Sequence, residues 1–160
     1  MAKKSRKTNE ELIADGVDRR ERRERRNQER REQFDRLQAP ILKTLDAAGY
    51  LTTSLCQLAH DHSPLPNVVV SILLGQIDSS EDLVLLEWLI RPLAATAHSF
   101  DGRPLVRCYE RIHEPSLQWV ILNTIACSRP QFIDKWIEQA LRDPYLSKTL
   151  RDLGYDRTDH

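Results

Sequence analysis

Glu114-Pro-Ser-Leu-Gln-Trp-Val-Ile-Leu-Asn-Thr-Ile-Ala126, with Pro130-Gln-Phe-Ile-Asp-Lys-Trp-Ile-Glu-Gln-Ala-Leu141 close behind it, is the stretch that decides the fold class. In the first segment Leu117, Val120, Ile121, Thr124 and Ile125 recur at every third or fourth position or beside one. In the second, Phe132, Ile133, Trp136, Ile137, Ala140 and Leu141 do the same. Side chains three and four apart stand above one another on a helix, whereas a half-buried strand alternates. Two consecutive α-helices are therefore expected, the first capped by Ser116.

Working outward, Arg103–His113 carries Leu105, Cys108, Tyr109 and Ile112 at helical spacing. Ser80–Ala97 is apolar nearly all round, as a central buried helix should be, and Pro92 should kink or shorten it. Pro66–Gly75 is ambiguous, since Val68, Val69, Val70 and Ile72 suit a strand as well as a helix. Downstream, Leu146, Thr149, Leu150 and Leu153 mark a last helix that stops at Gly154. Upstream, Pro40 can open a helix over Ile41–Ala48 that Gly49 ends. Ser54-Leu-Cys-Gln57 has the form of a capping box for a short segment reaching about His62, and Ser63–Pro66 is a turn.

The connections repeat. Ile77-Asp-Ser-Ser-Glu-Asp-Leu83, Ile112-His-Glu-Pro-Ser-Leu117 and Leu141-Arg-Asp-Pro-Tyr-Leu146 each set an acidic residue and a turn former between apolar helices. Their closing leucines lie 34 and then 29 residues apart, within the range of helical solenoid units. Each helix pair leaves an apolar flank that the next must cover, so about three units are needed, and three are present.

Residues 102–154 resemble bacterial HEAT-repeat proteins, above all in the turn, Leu117-x-Trp119, the apolar run, Asn123 and the small residues that follow. Phe132–Asp143 resembles the next first helix; Asp143-Pro-Tyr-Leu-Ser-Lys148 resembles the following turn but lacks the family's small and basic run. The resemblance implies an α-solenoid, armadillo-like stack used as a binding scaffold, as in adaptor or immunity-type proteins. It also implies a ligand surface lined by second helices. On that ground Trp119 and Asn123, with Arg107 and Arg111 from the preceding helix, are the expected contact residues. Trp88 and Trp136 sit on apolar stripes and read as core anchors; Trp119, beside Gln118 and Asn123, has room for a polar rim.

The N-terminal quarter is different. Residues 1–38 hold 13 Lys/Arg and 9 Asp/Glu, against 11 and 15 in the remainder, so a formal charge of zero hides a basic front and a mildly acidic body. After a Lys-rich tip, Thr8–Glu11 fits a capping box and Gly16 is placed to break the first turns. From Asp18 to Gln33 there is no apolar residue, so this stretch cannot be a core helix. On a helical wheel Arg19, Arg23, Arg26 and Arg30 form one stripe with Arg22 beside it, opposite Glu21, Glu24, Gln28, Glu32 and Asp35. Glu21–Arg25 and Glu32–Arg36 are spaced for i,i+4 ion pairs. The helix is either a solvated or protein-contacting rod, or a nucleic-acid or ribosome-associated element working through residues 19–31. Without interleaved aromatics, base stacking is not expected.

Chemistry is sparse. Cys56, His60 and His62 are metal-ligand types in one cluster, but zinc requires a fourth ligand or a water, and no metal is expected. Cys56, Cys108 and Cys127 are widely spaced without a CxxC, which suits reduced thiols and a cytoplasmic setting. No apolar run nears the length of a membrane span. No GxSxG, Gly-rich phosphate loop or partnered histidine is found, so neither an enzyme nor a cofactor or small-molecule substrate is expected. The expectation is thus an all-α protein: a short HEAT-like stack of antiparallel helix pairs with a protruding charged N-terminal helix. It divides into a basic tip and charged helix (1–38), a helical cap and linker (39–65) and a repeat domain (66–160). Its expected role is protein–protein interaction.

Overall fold

The computed structural model describes the backbone of residues 9–155 and the side chains of residues 16–155. The basic tip and the Thr8–Glu11 capping box fall outside those limits. The protein is all-α. Among the described residues there are eight α-helices and a 3-10 turn, and no strand beyond a single parallel bridge between Asp101 and Gln131. The chain divides into two units, Met1–Arg36 and Leu37–His160.

The helix α1 spans Asn9–Ala47 and is longer than the sequence suggests. Gly16 does not interrupt it, and Pro40 lies inside it instead of opening a new helix. A proline costs the bond to the carbonyl four residues earlier. Here that carbonyl belongs to Arg36, and both residues are exposed, so water can take the orphaned acceptor. The helix ends where Gly49 was expected to end it. Gly49 has φ 87°, its N–H bonds Asp46 O at 2.8 Å, and Tyr50 N bonds Leu45 O at 2.9 Å. That pair of bonds closes a left-handed C-cap, a conformation that glycine alone adopts without strain. Gly154 ends the last helix in the same way.

In the second unit, Ile41 and Leu45 of α1 are buried together with Leu55, Leu58 and Leu65 of the following segment. Only Leu58–Asp61, α2, is helical there; Ser54 Oγ accepts from Cys56 N and opens a turn, so the expected capping box is reduced to one bond. Buried Gln38 reaches the same segment, its Oε1 accepting from Leu55 N at 3.0 Å.

Helix α3, Asn67–Ser79, settles the ambiguous valine run as helical, with Val69, Val70, Leu73 and Ile77 on its buried face. Tertiary burial of that face outweighs the modest helical disadvantage of β-branched residues. Helix α4 spans Leu83–Ile90 and passes into a 3-10 turn, Arg91–Ala95, that contains Pro92 at the expected point of shortening. Then come α5, Arg103–Arg111; α6, Pro115–Ser128; α7, Asp134–Ala140; and α8, Pro144–Asp152. Helix α3 packs on α4 and α5, and α6 packs on α4, α5 and α8.

Two details depart from the sequence reading. Ser116 lies inside α6, not before it, and its hydroxyl donates to the carboxylate of Glu114, the residue at the cap position. Phe132 belongs to no helix: it has φ 65° and is 65% exposed, so the expected stripe of α7 begins only at Ile133. The chain turns there because Gly102 N bonds Gln131 O and Gln131 N bonds Phe100 O, tying the start of α5 to the start of α7.

Candidate interaction surfaces

The helices α4, α6 and α8 share a register. Each follows an acidic residue with extended backbone: Asp82, Glu114 and Asp143. Asp82 Oδ1 accepts from Val84 N and Leu85 N at 3.0 and 2.9 Å, and Asp143 Oδ1 accepts from Tyr145 N and Leu146 N at 2.9 Å each. These are side-chain N-caps that satisfy otherwise orphaned amides. Counting from the cap, the seventh residues are Leu89, Ile121 and Leu150, and each is 0% exposed. An acidic residue at the cap position and a fully buried seventh residue thus occur in all three of these helices.

The outward face follows the same count. The fifth residues are Glu87, Trp119 and Lys148, and the ninth are Arg91, Asn123 and Asp152. Positions five and nine lie one turn apart on one face. In α4 they form an ion pair, with Arg91 Nη2 2.6 Å from Glu87 Oε1, and the same guanidinium sits 5.8 Å from the centre of the Trp88 ring. In α6 they are an indole and an amide. Trp119 is 49% exposed, and half-buried Asn123 has Oδ1 4.0 Å from the Cys127 thiol. Tyr145, at the second position of α8, is exposed as well. Of the three tryptophans, Trp88 and Trp136 are half-buried; Trp136 meets Tyr109 edge-on, ring centres 5.5 Å apart. Trp119 alone stands out from the core.

Arg107 and Arg111 are engaged within the fold. Arg107 Nε and Nη2 donate to the two carboxylate oxygens of Asp78 at 3.1 and 2.6 Å. Arg111 donates to the carbonyls of Ile77, Asp78 and Ser80 at 2.9–3.0 Å. Those carbonyls end α3, where acceptors lack helical partners and the helix dipole is negative, so a guanidinium is doubly suited to the place. Between them Cys108 is buried, and burial pushes its thiol pKa up. These two arginines join α5 to α3, and the structure does not bring them together with Trp119 and Asn123 as one hydrogen-bonded group.

The Cys56, His60 and His62 cluster is spread by local bonding. Cys56 and His60 are exposed, His62 Nε2 lies 2.9 Å from Leu51 O, and Asp61 Oδ2 accepts from the Thr52 hydroxyl at 2.7 Å. No group of three His, Cys, Asp or Glu side chains among the described residues is arranged to hold a metal ion.

One feature lay beyond the sequence reading. Arg103 chelates Asp101 through Nε and Nη2 at 2.6–3.0 Å and covers the exposed Phe132 ring at 5.4 Å. The hydrogen-bonded guanidinium holds the Asp101 carboxyl below its ordinary range. No local signal marks Phe132 as exposed, because its φ is set by the backbone bonds between two distant segments.

In the first unit every described side chain from Gly16 to Gln33 is exposed. Arg20 pairs with Glu24 at 2.9 Å, and Arg22 stands 4.0 Å from Asp18. The two pairs expected from spacing, Glu21–Arg25 and Glu32–Arg36, do not form; Arg36 Nε donates to Glu32's backbone carbonyl instead. Arg26 Nε likewise donates to the carbonyl of Arg22 at 3.2 Å. Arg19, Arg23, Arg26 and Arg30 have no carboxylate partner among the described residues. No described helix is long and apolar enough to cross a membrane. Set against protein-family models, curated proteins and solved structures, the chain matches none.

Proposed function

We propose that this protein is a non-catalytic helical-repeat module that binds another protein, as an adaptor or immunity-type protein does. The face in question is that of α4, α6 and α8, centred on Trp119. The observation that carries the reading is the placement of an indole at an outward position that its register-mates fill with Glu87 and Lys148. Leaving a large apolar surface in water is unfavourable by about 25 cal/mol per Å2, and a partner recovers that energy by covering it. An aromatic ringed by polar groups is also the usual composition of an interface hot spot, with the rim excluding water from the centre. Glu87, Arg91, Asn123 and Lys148 supply such a rim by register.

The helix pairs support the reading too. Helices α3 and α5 pack together and so do α4 and α6, first helix on first and second on second, as in stacks of the HEAT kind. The three widely spaced cysteines are consistent with a cytoplasmic setting.

The test is paired affinity isolation with wild type and Trp119→Glu, followed by reconstitution of the recovered partner from pure components. The expected result is a stoichiometric protein retained by wild type and reduced at least tenfold by the variant, with unchanged helical circular dichroism. Truncating a central aromatic typically costs about 2 kcal/mol or more of binding, which is the basis of that figure. Equal retention by both proteins would remove this face from consideration.

A further inference from the structure

We infer that the first unit carries a second, independent site: a binding surface for the phosphate backbone of duplex DNA, with Arg19, Arg23, Arg26 and Arg30 as its phosphate ligands. Because α1 is helical throughout this stretch, positions around it advance by about 100° per residue. On that wheel the half-circumference running from Arg22 through Arg19 to Arg31 contains every arginine from Arg19 to Arg31 except Arg25, and no carboxylate. The acids gather on the other half, at Glu21, Glu24, Glu32 and Asp35. Within the helix Arg20 pairs with Glu24 and Arg22 with Asp18.

Three observations favour phosphate over a solvated surface or an acidic protein. First, no apolar residue occurs from Asp18 to Gln33, so a protein partner would find charge but nothing apolar to bury here. A phosphate backbone requires only charge and hydrogen-bond donors. Second, every cation from Gly16 to Arg36 is arginine and none is lysine, although the two are equivalent as helix formers. The guanidinium fork differs from an ammonium in binding phosphate oxygens two at a time. Third, the row rises roughly 16 Å from Arg19 to Arg30 along a rod that fits a DNA major groove about 12 Å wide. The four named arginines fan over about 60° of the rod, a single stripe that can follow one wall of that groove. With no aromatic between Arg19 and Arg31, recognition is of backbone and not of base, so it is independent of sequence.

Titration of a short labelled DNA duplex with the full-length chain, followed by fluorescence anisotropy between about 50 and 200 mM salt, tests the site. Four phosphate contacts predict a log–log salt slope near −3.6 and a loss of roughly 150-fold in affinity across that range. The variant Arg19→Gln/Arg23→Gln/Arg26→Gln/Arg30→Gln should lose nearly all of that slope. A control removing equal charge elsewhere, Arg25→Gln/Lys43→Gln/Lys135→Gln/Arg142→Gln, should keep it. An unchanged slope in the first variant, or equal loss in the control, overturns the assignment. So does displacement of the duplex, charge for charge, by a polyglutamate chain, which would point to an acidic protein surface. Circular dichroism of both variants verifies that α1 is retained, glutamine being a good helix former.

Discussion

The charged helix over residues 16–36 and the helical body over residues 37–155 are both α-helical, and they are helical for different reasons. In the first, no side chain is buried, and order rests on residues of high helix propensity and a few i,i+4 contacts worth some tenths of a kcal/mol each. In the second, short helices, such as the seven residues of Asp134–Ala140, persist because each lays apolar side chains into a shared core. Isolated helices of that length are not stable in water. The comparison shows that identical backbone geometry conceals two kinds of surface. One is free to present its entire circumference to a ligand, while the other has a single face to offer after packing.

The contrast is broken most directly at its largest difference. Ile121→Ala, at a fully buried seventh position, should cost about 2–5 kcal/mol in urea unfolding, through lost burial and the cavity left behind. Arg23→Ala on the charged helix should shift stability by no more than about 0.5 kcal/mol. Comparable shifts for the two would mean that the charged helix is covered in solution.

The joint between α5 and α7 gives a smaller but sharper effect. A Cβ at Gly102 would lie 2.9 Å from Pro130 Cβ and Cγ and from Ile133 Cγ2, closer than non-bonded carbons approach, and the proline ring cannot rotate aside. Gly102→Ala is expected to destabilise by about 1–3 kcal/mol, measured as a lowered thermal midpoint. A neutral result would show that the Phe100–Gln131 and Gly102–Gln131 bonds yield more readily than their place in the core suggests.

The caps provide the smallest and most discriminating comparison, since it lies within the body itself. Asp82→Ala and Asp143→Ala should each cost about 1 kcal/mol, with faster amide exchange at Leu85 and Leu146. Glu114→Ala should cost only a few tenths of a kcal/mol, because that carboxylate binds the Ser116 hydroxyl and caps no amide. Equal losses at all three would make the shared register coincidental with the caps.

Much of the fold was legible where the deciding interactions are local. Gly49 and Gly154 mark helix ends because a left-handed residue is needed within a few bonds of the helix itself. Pro92 shortens α4 through its own ring. Pro40 misled because its cost depends on whether the freed Arg36 carbonyl meets water, which is a matter of exposure and not of sequence. Phe132 misled because its apolar spacing is that of a core residue, while its backbone is held in a left-handed turn by partners some thirty residues away. The site was legible to a similar degree. Trp119 and Asn123 do share a face, as spacing requires, but Arg107 and Arg111 proved to be joined to the end of α3, a contact between segments about thirty residues apart.

The chain by itself determined that it is helical, where most of its helices stop, and that most arginines of the charged stretch fall on the side of the rod away from its carboxylates. Those properties depend on residues within one or two turns of each other, a range over which the backbone fixes distances in advance. Only the tertiary structure decided which apolar side chains were left in water, which guanidiniums were consumed by neighbouring helices, and where a glycine admits no Cβ. Each of these is settled by what packs against the residue from far along the chain, and burial leaves no mark on the residue that receives it.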